Sequence, residues 1–108
     1  MARYLDEASA EADGFTIEHE PGRSRFVLKQ AGRELGEAHY TLFEGPAGPA
    51  IDFDHTVVDP ELRGTGLSGL LAHRAVTDEV VHGRSVAASC WFIEGYLAKH
   101  PELLETGA

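Results

Sequence analysis

The stretch best suited to chemistry is Arg63-Gly64-Thr65-Gly66-Leu67-Ser68-Gly69, which follows a run of strand character and opens a run of helical character. Glycines at such a junction let the backbone approach a ligand closely, and the first N–H groups of a helix have no intrahelical partner. With the helix dipole behind them, these groups can hold an anion such as a pyrophosphate. The spacing is not that of a Walker loop, which needs Lys and then Ser or Thr after its second glycine, and it also misses the three-glycine dinucleotide fingerprint. ATP and NAD are disfavoured accordingly. The alternative is a loop whose glycines only satisfy turn geometry. The second feature is Cys90, the single cysteine. It cannot form an internal disulfide, which fits a reducing compartment and makes the cytoplasm the expected location. It lies where strand character gives way to helical character, a setting in which thiols in general gain thiolate character.

The elements that must position these residues follow from periodicity. Residues 1–14 read as a flexible lead-in with little to bury. Phe15 and Ile17 alternate with polar neighbours, Pro21-Gly22 punctuates, and Phe26, Val27 and Leu28 supply a second short strand. A reversal at Gln30, Ala31 and Gly32 leads into a longer strand over residues 35–43, and residues 44–49 read as a loop. Residues 50–58 form the most regular strand, with Ile51, Phe53, His55 and Val57 expected on one face and Asp52, Asp54, Thr56 and Val58 on the other. Leu67, Leu70, Leu71, Ala75, Val76 and Val80 trace a helical stripe expected to end near His82, with Gly83 as its left-handed cap. A short strand over residues 85–90 precedes a last helix carrying Phe92, Ile93, Tyr96 and Leu97, stopped by Pro101. Strands first, then strand, helix, strand, helix predict an α+β fold with a mixed sheet, residues 15–108 forming one domain.

Composition narrows the partners. Among 108 residues, nine Lys and Arg face eighteen Asp and Glu, and the formal charge of −9 disfavours broad nucleic-acid binding. Asp6, Glu7, Glu11 and Asp13 stud the start of the chain, and no run of about 18 apolar residues occurs, so neither an export signal nor a membrane segment is expected. His19, His39, His73, His82 and His100 show no zinc-site spacing, and no metal is expected.

Asp54-His55-Thr56-Val57-Val58, the loop at Arg63, and Cys90-Trp91-Phe92-Ile93 with Tyr96, His100 and Pro101 together resemble the small, single-domain branch of the GNAT acyltransferase superfamily. The resemblance runs from about Phe15 to about Leu104. It implies acetyl-coenzyme A as acyl donor, its pyrophosphate held by an R/Q-x-x-G-x-G/A loop in which Arg63 and Gly66 match and Ser68 replaces Gly or Ala. Gly64, Thr65, Leu67 and Gly69 complete that loop. It further implies a mostly antiparallel sheet whose central strands splay, the pantetheine arm lying between residues 51–58 and 85–90. The backbone of Thr56, Val57 and Val58 would then pair with pantetheine amides and polarise the thioester, and Cys90 would lie beside it.

Acyl transfer to an amine needs a base, oxyanion donors and a proton for the leaving thiolate. His55 suits the base, or packs against Ile51 and Phe53. Asp52 and Asp54 could recruit a cationic amine, or are solvated. Tyr96 could protonate the thiolate, or belongs to the core. Cys90 either accepts the acetyl group transiently, with His55 as its base, or lines the pocket. The expected function is N-acetyl transfer to an amine, such as a protein lysine, an N-terminus or a small amine, by a monomer or homodimer. An acyl-coenzyme A binding or regulatory module with little catalysis, and a generic α+β interaction domain, are the alternatives.

Overall fold

The computed structural model describes residues 3–62 and 64–103, so Arg63 lies outside the described residues. Strands β1 (Phe15–Glu20) and β2 (Arg25–Gln30) are joined by a single 3-10 turn, Pro21–Arg23. Ala31 and Gly32, with φ of 52° and 77°, then form a tight reversal whose two left-handed residues match the twist of a hairpin. Strands β3 (Arg33–Gly45) and β4 (Gly48–Val58) follow, then helix α2 (Leu67–Thr77), strand β5 (Ser85–Ala88) and helix α3 (Trp91–Lys99); a short helix α1 (Glu7–Ala12) precedes β1. The sheet order is β1-β2-β3-β4-β5, antiparallel except for the parallel β4 and β5 pair that α2 connects. This is an α+β fold with a mixed five-stranded sheet. Among the described residues no helix is long and apolar enough to cross a membrane.

One sheet face carries Phe26, Ala38, Tyr40, Ile51 and Phe53, which pack against Leu71, Ala72, Ala75 and Val76 of α2 and Ile93 and Leu97 of α3. The alternation in β3 and α2 therefore builds the core as its periodicity requires. A second cluster takes in part of residues 3–14. Tyr4 and Ala10 are buried with Phe15, Leu28 and Leu67, the Tyr4 hydroxyl donates to Asp13 Oδ2 at 2.6 Å, and the Tyr4 amide donates to the Thr65 carbonyl at 2.8 Å. The segment buries little in total, but it buries the aromatic residue that periodicity could not see.

Three element boundaries also differ from expectation. The stretch over residues 44–49 is mostly strand, paired Glu44↔Pro49 and Gly45↔Gly48. It tolerates Pro49 because β5 pairing begins only at Ala50, leaving the proline at an edge. Helix α2 stops at Thr77 rather than near His82, since the Asp78 carboxylate accepts the Val80 N–H and starts a separate 3-10 turn, Glu79–Val81. Gly83 is left-handed as expected (φ 75°) but follows that turn. Finally, β5 ends at Ala88, two residues early.

The most consequential departure is in β4. His39 pairs with His55, yet Tyr40 pairs with Phe53, so Asp54 is an extra residue, a β-bulge. Beyond it the alternation is reset. Thr56 and Val58 join Ile51 and Phe53 on the helix-covered face, opposite Ala38 and Gly36, while His55 and Val57 turn to the other face. That other face is charged. Arg25, only 2% exposed, donates to Glu20 at 2.6 Å, Glu37 at 2.8 Å and Glu34 at 3.0 Å, and the second Glu37 oxygen meets His39 Nε2 at 2.8 Å.

Candidate functional site

The site begins where β4 and β5 part. Their register runs only from Ala50↔Ser85 to Phe53↔Ala88, and a bulge increases local twist and bends the strand that carries it. The Cys90 N–H, which donates to the Phe53 carbonyl at 3.0 Å, is the last link. On the outer face, both Asp52 oxygens are taken by Ser89, through its N–H at 2.8 Å and its hydroxyl at 2.6 Å, which pins the same junction. Past this apex β4 runs on without β5 while the chain turns into α3. Between them opens a cleft of about 270 Å³. Thr56, Val58, Asp59, Pro60 and Leu62 form one wall, Cys90, Trp91 and Phe92 the other, and Ser68 stands at the α2 end.

The glycine loop meets the geometric requirement of an anion site. Gly64 (φ 77°) and Gly66 (φ 89°) are left-handed, and Gly66 is the N-cap of α2. The Thr65 hydroxyl donates to the Leu62 carbonyl and accepts the Leu67 N–H at 3.2 Å, so this side chain is committed to the loop itself. The Leu67 side chain is fully buried in the core. The N–H groups of Ser68 and Gly69, in the first turn, have no partner among the described residues. Because a Cβ at a left-handed position is strained, Gly66→Ala should cost about 1 kcal/mol. A urea midpoint lowered at constant slope is the expected reading, and an unchanged midpoint would contradict it.

Of the residues singled out in the sequence, Thr56, Val58, Ser68 and Cys90 line the cleft. His55 and Val57 do not; His55 is exposed on the opposite face, its ring 5.9 Å from that of His39. The face shared with Ile51 and Phe53 is therefore corrected for His55, by the bulge. Asp54 is also on that side, accepting the Thr41 hydroxyl at 2.6 Å. Tyr96 does not line the cleft either. Its ring lies 4.5 Å from His100 near the end of α3, and burial, with Glu102 nearby, pushes its hydroxyl pKa up. Asp59, Pro60, Leu62, Trp91 and Phe92 also line the cleft, and none of them is assigned a site role from sequence. Asp59-Pro60 registers there only as a strand break, and Trp91 and Phe92 only as part of the motif that carries the resemblance. Trp91 is nevertheless 82% exposed at the cleft mouth. Among the described residues no group of three or more His, Cys, Asp or Glu is arranged to hold a metal ion.

With this geometry in hand, the comparison with known proteins is decisive at the level of family. Residues 25–106 match the GCN5-related N-acetyltransferases. The chain belongs to that family. Protein NATD1 of Xenopus tropicalis is 25% identical over 101 residues, covering 94% of this chain and 91% of the relative. Protein NATD1 of Homo sapiens is 27% identical over 85 residues, covering 79% and 74%. An integron cassette protein from the mobile metagenome of Cole Harbour Salt Marsh superposes with a TM-score of 0.58 at 19% identity, covering 88% of this chain and 70% of its own, a likeness of fold alone. In this member only the 3-10 turn connects β1 and β2.

Proposed function

We propose that this chain transfers an acetyl group from acetyl-coenzyme A to a primary amine. The observation that carries the reading is the cleft, which runs from unpartnered helix N–H groups at one end to a closed strand junction at the other. Its residues suit the donor at both ends. Ser68 and Gly69 offer amides for a pyrophosphate, as would the matched loop residues Arg63, Gly64 and Gly66 through their backbone, while the Thr65 and Leu67 N–H groups, held by the Leu62 carbonyl and the Thr65 hydroxyl, fix the shape of the loop. When bound, acetyl-coenzyme A supplies the activated acyl group. The backbone of Thr56, Val57 and Val58, free of β5, aligns its extended arm.

The acceptor approaches from the outer face, where His55 is exposed and can take the proton of the amine. With one turn between β1 and β2, that side admits a large surface such as a protein lysine or N-terminus as readily as a small amine, and the charge of −9 favours a cationic acceptor. Asp52 and Asp54 are already hydrogen bonded to Ser89 and Thr41 and help shape the junction rather than seize the amine. We assign Cys90 to lining the cleft without covalent chemistry, Tyr96 to packing α3, and the cytoplasm as the location.

Calorimetry tests binding, and thiol release with an amine panel tests transfer. Heat with coenzyme A at micromolar to millimolar concentration, followed by amine-dependent thiol release, supports the enzyme; no heat overturns it. Cys90→Ala should keep turnover within about threefold, with no acetyl adduct on the unmodified protein by intact mass. A persistent adduct and lost turnover would reverse that assignment. A binding module without catalysis is favoured by one observation: the titratable side chains lining the cleft are Asp59 and Cys90 alone among the described residues. Heat without thiol release would select it.

A further inference from the structure

Strand β3 outruns the strand that pairs with it. Its register with β2 ends at Arg25↔His39, and the Tyr40 N–H makes the last link, to the Ser24 carbonyl at 3.0 Å. Beyond that point β3 and β4 continue as a two-stranded hairpin, closed by Pro46 and Ala47 between Gly45 and Gly48. Backbone groups alternate sides along a strand, so the N–H and C=O of Leu42 and Glu44 point the same way as those of Tyr40, to the side that β2 has left. They have no partner among the described residues.

Two further features mark this edge. Leu42 and Phe43 are 42% and 44% exposed, one on each face of the hairpin. Glu44 is the one charged residue from Tyr40 to Ile51, in a chain of which 25% is charged and whose net charge is −9. Two copies of so acidic a chain repel over most of their surfaces and meet at least cost where charge is missing. An antiparallel edge is also its own complement under a two-fold rotation, each donor meeting an acceptor.

We propose that the chain forms a two-fold dimer by pairing the free edges of β3. The register follows from the free length. Neighbours on β2 occupy the edge as far as Tyr40 and the turn ends it after Gly45, so the open stretch is Thr41 to Gly45 and its midpoint, Phe43, lies on the axis. Leu42 then exchanges both backbone hydrogen bonds with Glu44 of the second copy, and the reverse, while Phe43 faces Phe43 as the close pair without hydrogen bonds. An axis at Leu42 would drive Glu44 into the place of Ser24. An axis at Glu44 would oppose two carboxylates and set Leu42 against Pro46, which has no N–H.

Sedimentation equilibrium from about 5 µM to about 1 mM tests the dimer. An interface this small predicts a Kd on the order of 100 µM. Phe43→Lys, which puts a charge on the edge, should weaken it at least about tenfold and leave the melting temperature of the monomer unchanged. The register has its own readout. In a Cys90→Ala background, Phe43→Cys places two thiols on the axis, where Cα atoms about 4.5 Å apart accept a disulfide, and mild oxidation should link most of the protein into dimers. Leu42→Cys in that background, with Cα atoms about 8 Å apart, should link at least about tenfold more slowly. A monomer at every concentration, a dimer that Phe43→Lys leaves intact, or equal linking of the two cysteine variants overturns the proposal. Should Phe43→Lys fail to fold, the two cysteine variants decide alone.

Discussion

Deleting Asp54 should yield a folded protein without the coenzyme A affinity proposed for the unmodified chain. Asp54 is the extra residue between Phe53 and His55, so its removal leaves His55 opposite His39 and every later residue of β4 on its present face. The core therefore keeps Thr56 and Val58 on the helix side. What goes is the bend, since the bulge supplies the local twist that carries β4 away from β5. A straightened β4 would continue alongside β5 and close the cleft. The loss to stability is one exposed hydrogen bond from Thr41, and the melting temperature should move by about 5 °C or less. Affinity for coenzyme A should fall by at least about 100-fold, some 3 kcal/mol. Asp54→Ala, which keeps the extra residue, should bind within about twofold of the unmodified protein. Full binding by the deletion variant would show that α3, not the bulge, holds the strands apart.

Replacing Arg25 by Ala should cost about 2 kcal/mol, more than an exposed ion pair is worth and less than a fully buried one. The guanidinium is covered by the side chains that bind it, and its removal leaves Glu20, Glu34 and Glu37 facing one another. A fall of about 10 °C in melting temperature follows for a domain of this size. The pH dependence has a definite sign. The hydrogen bond from Arg25 holds the Glu20 carboxyl below the usual range, and that from His39, with Arg25 behind it, does the same for Glu37. Groups whose folded pKa is depressed stabilise fully above the ordinary value of 4.5 and lose that contribution as pH falls through their lower folded values. The unmodified protein should thus lose stability below about pH 4.5 more steeply than Arg25→Ala, by thermal melts at stepped pH. Parallel curves would show that Arg25 does not set these carboxyls.

Much of this fold is written in its periodicities. Phe26 and Leu28, Ala38 and Tyr40, Ile51 and Phe53 alternate because one sheet face packs on helices, and Leu71, Ala75 and Val76 repeat at helical spacing for the same reason. Glycine and proline marked most junctions. The bulge was invisible because β4 alternates polar and apolar types on both sides of Asp54, so an inserted residue leaves no gap in the pattern, and His55 and Val57 were carried onto the wrong face. Asp78 stopped α2 through a side-chain hydrogen bond that no apolar stripe reveals. Tyr4 escaped notice because one aromatic in a polar segment has no period. In the cleft, Thr56 and Val58 among the residues read from the resemblance alternate inward after the bulge and Val57 does not, whereas Asp59 and Trp91 line it because two chain segments come together there.

The link between the Tyr4 amide and the Thr65 carbonyl bears on how the protein is handled. A bulky or anionic group attached beside Tyr4 would stand next to the glycine loop and compete for its amides, so ligand titrations belong on material in which Tyr4 and its neighbours carry no added group.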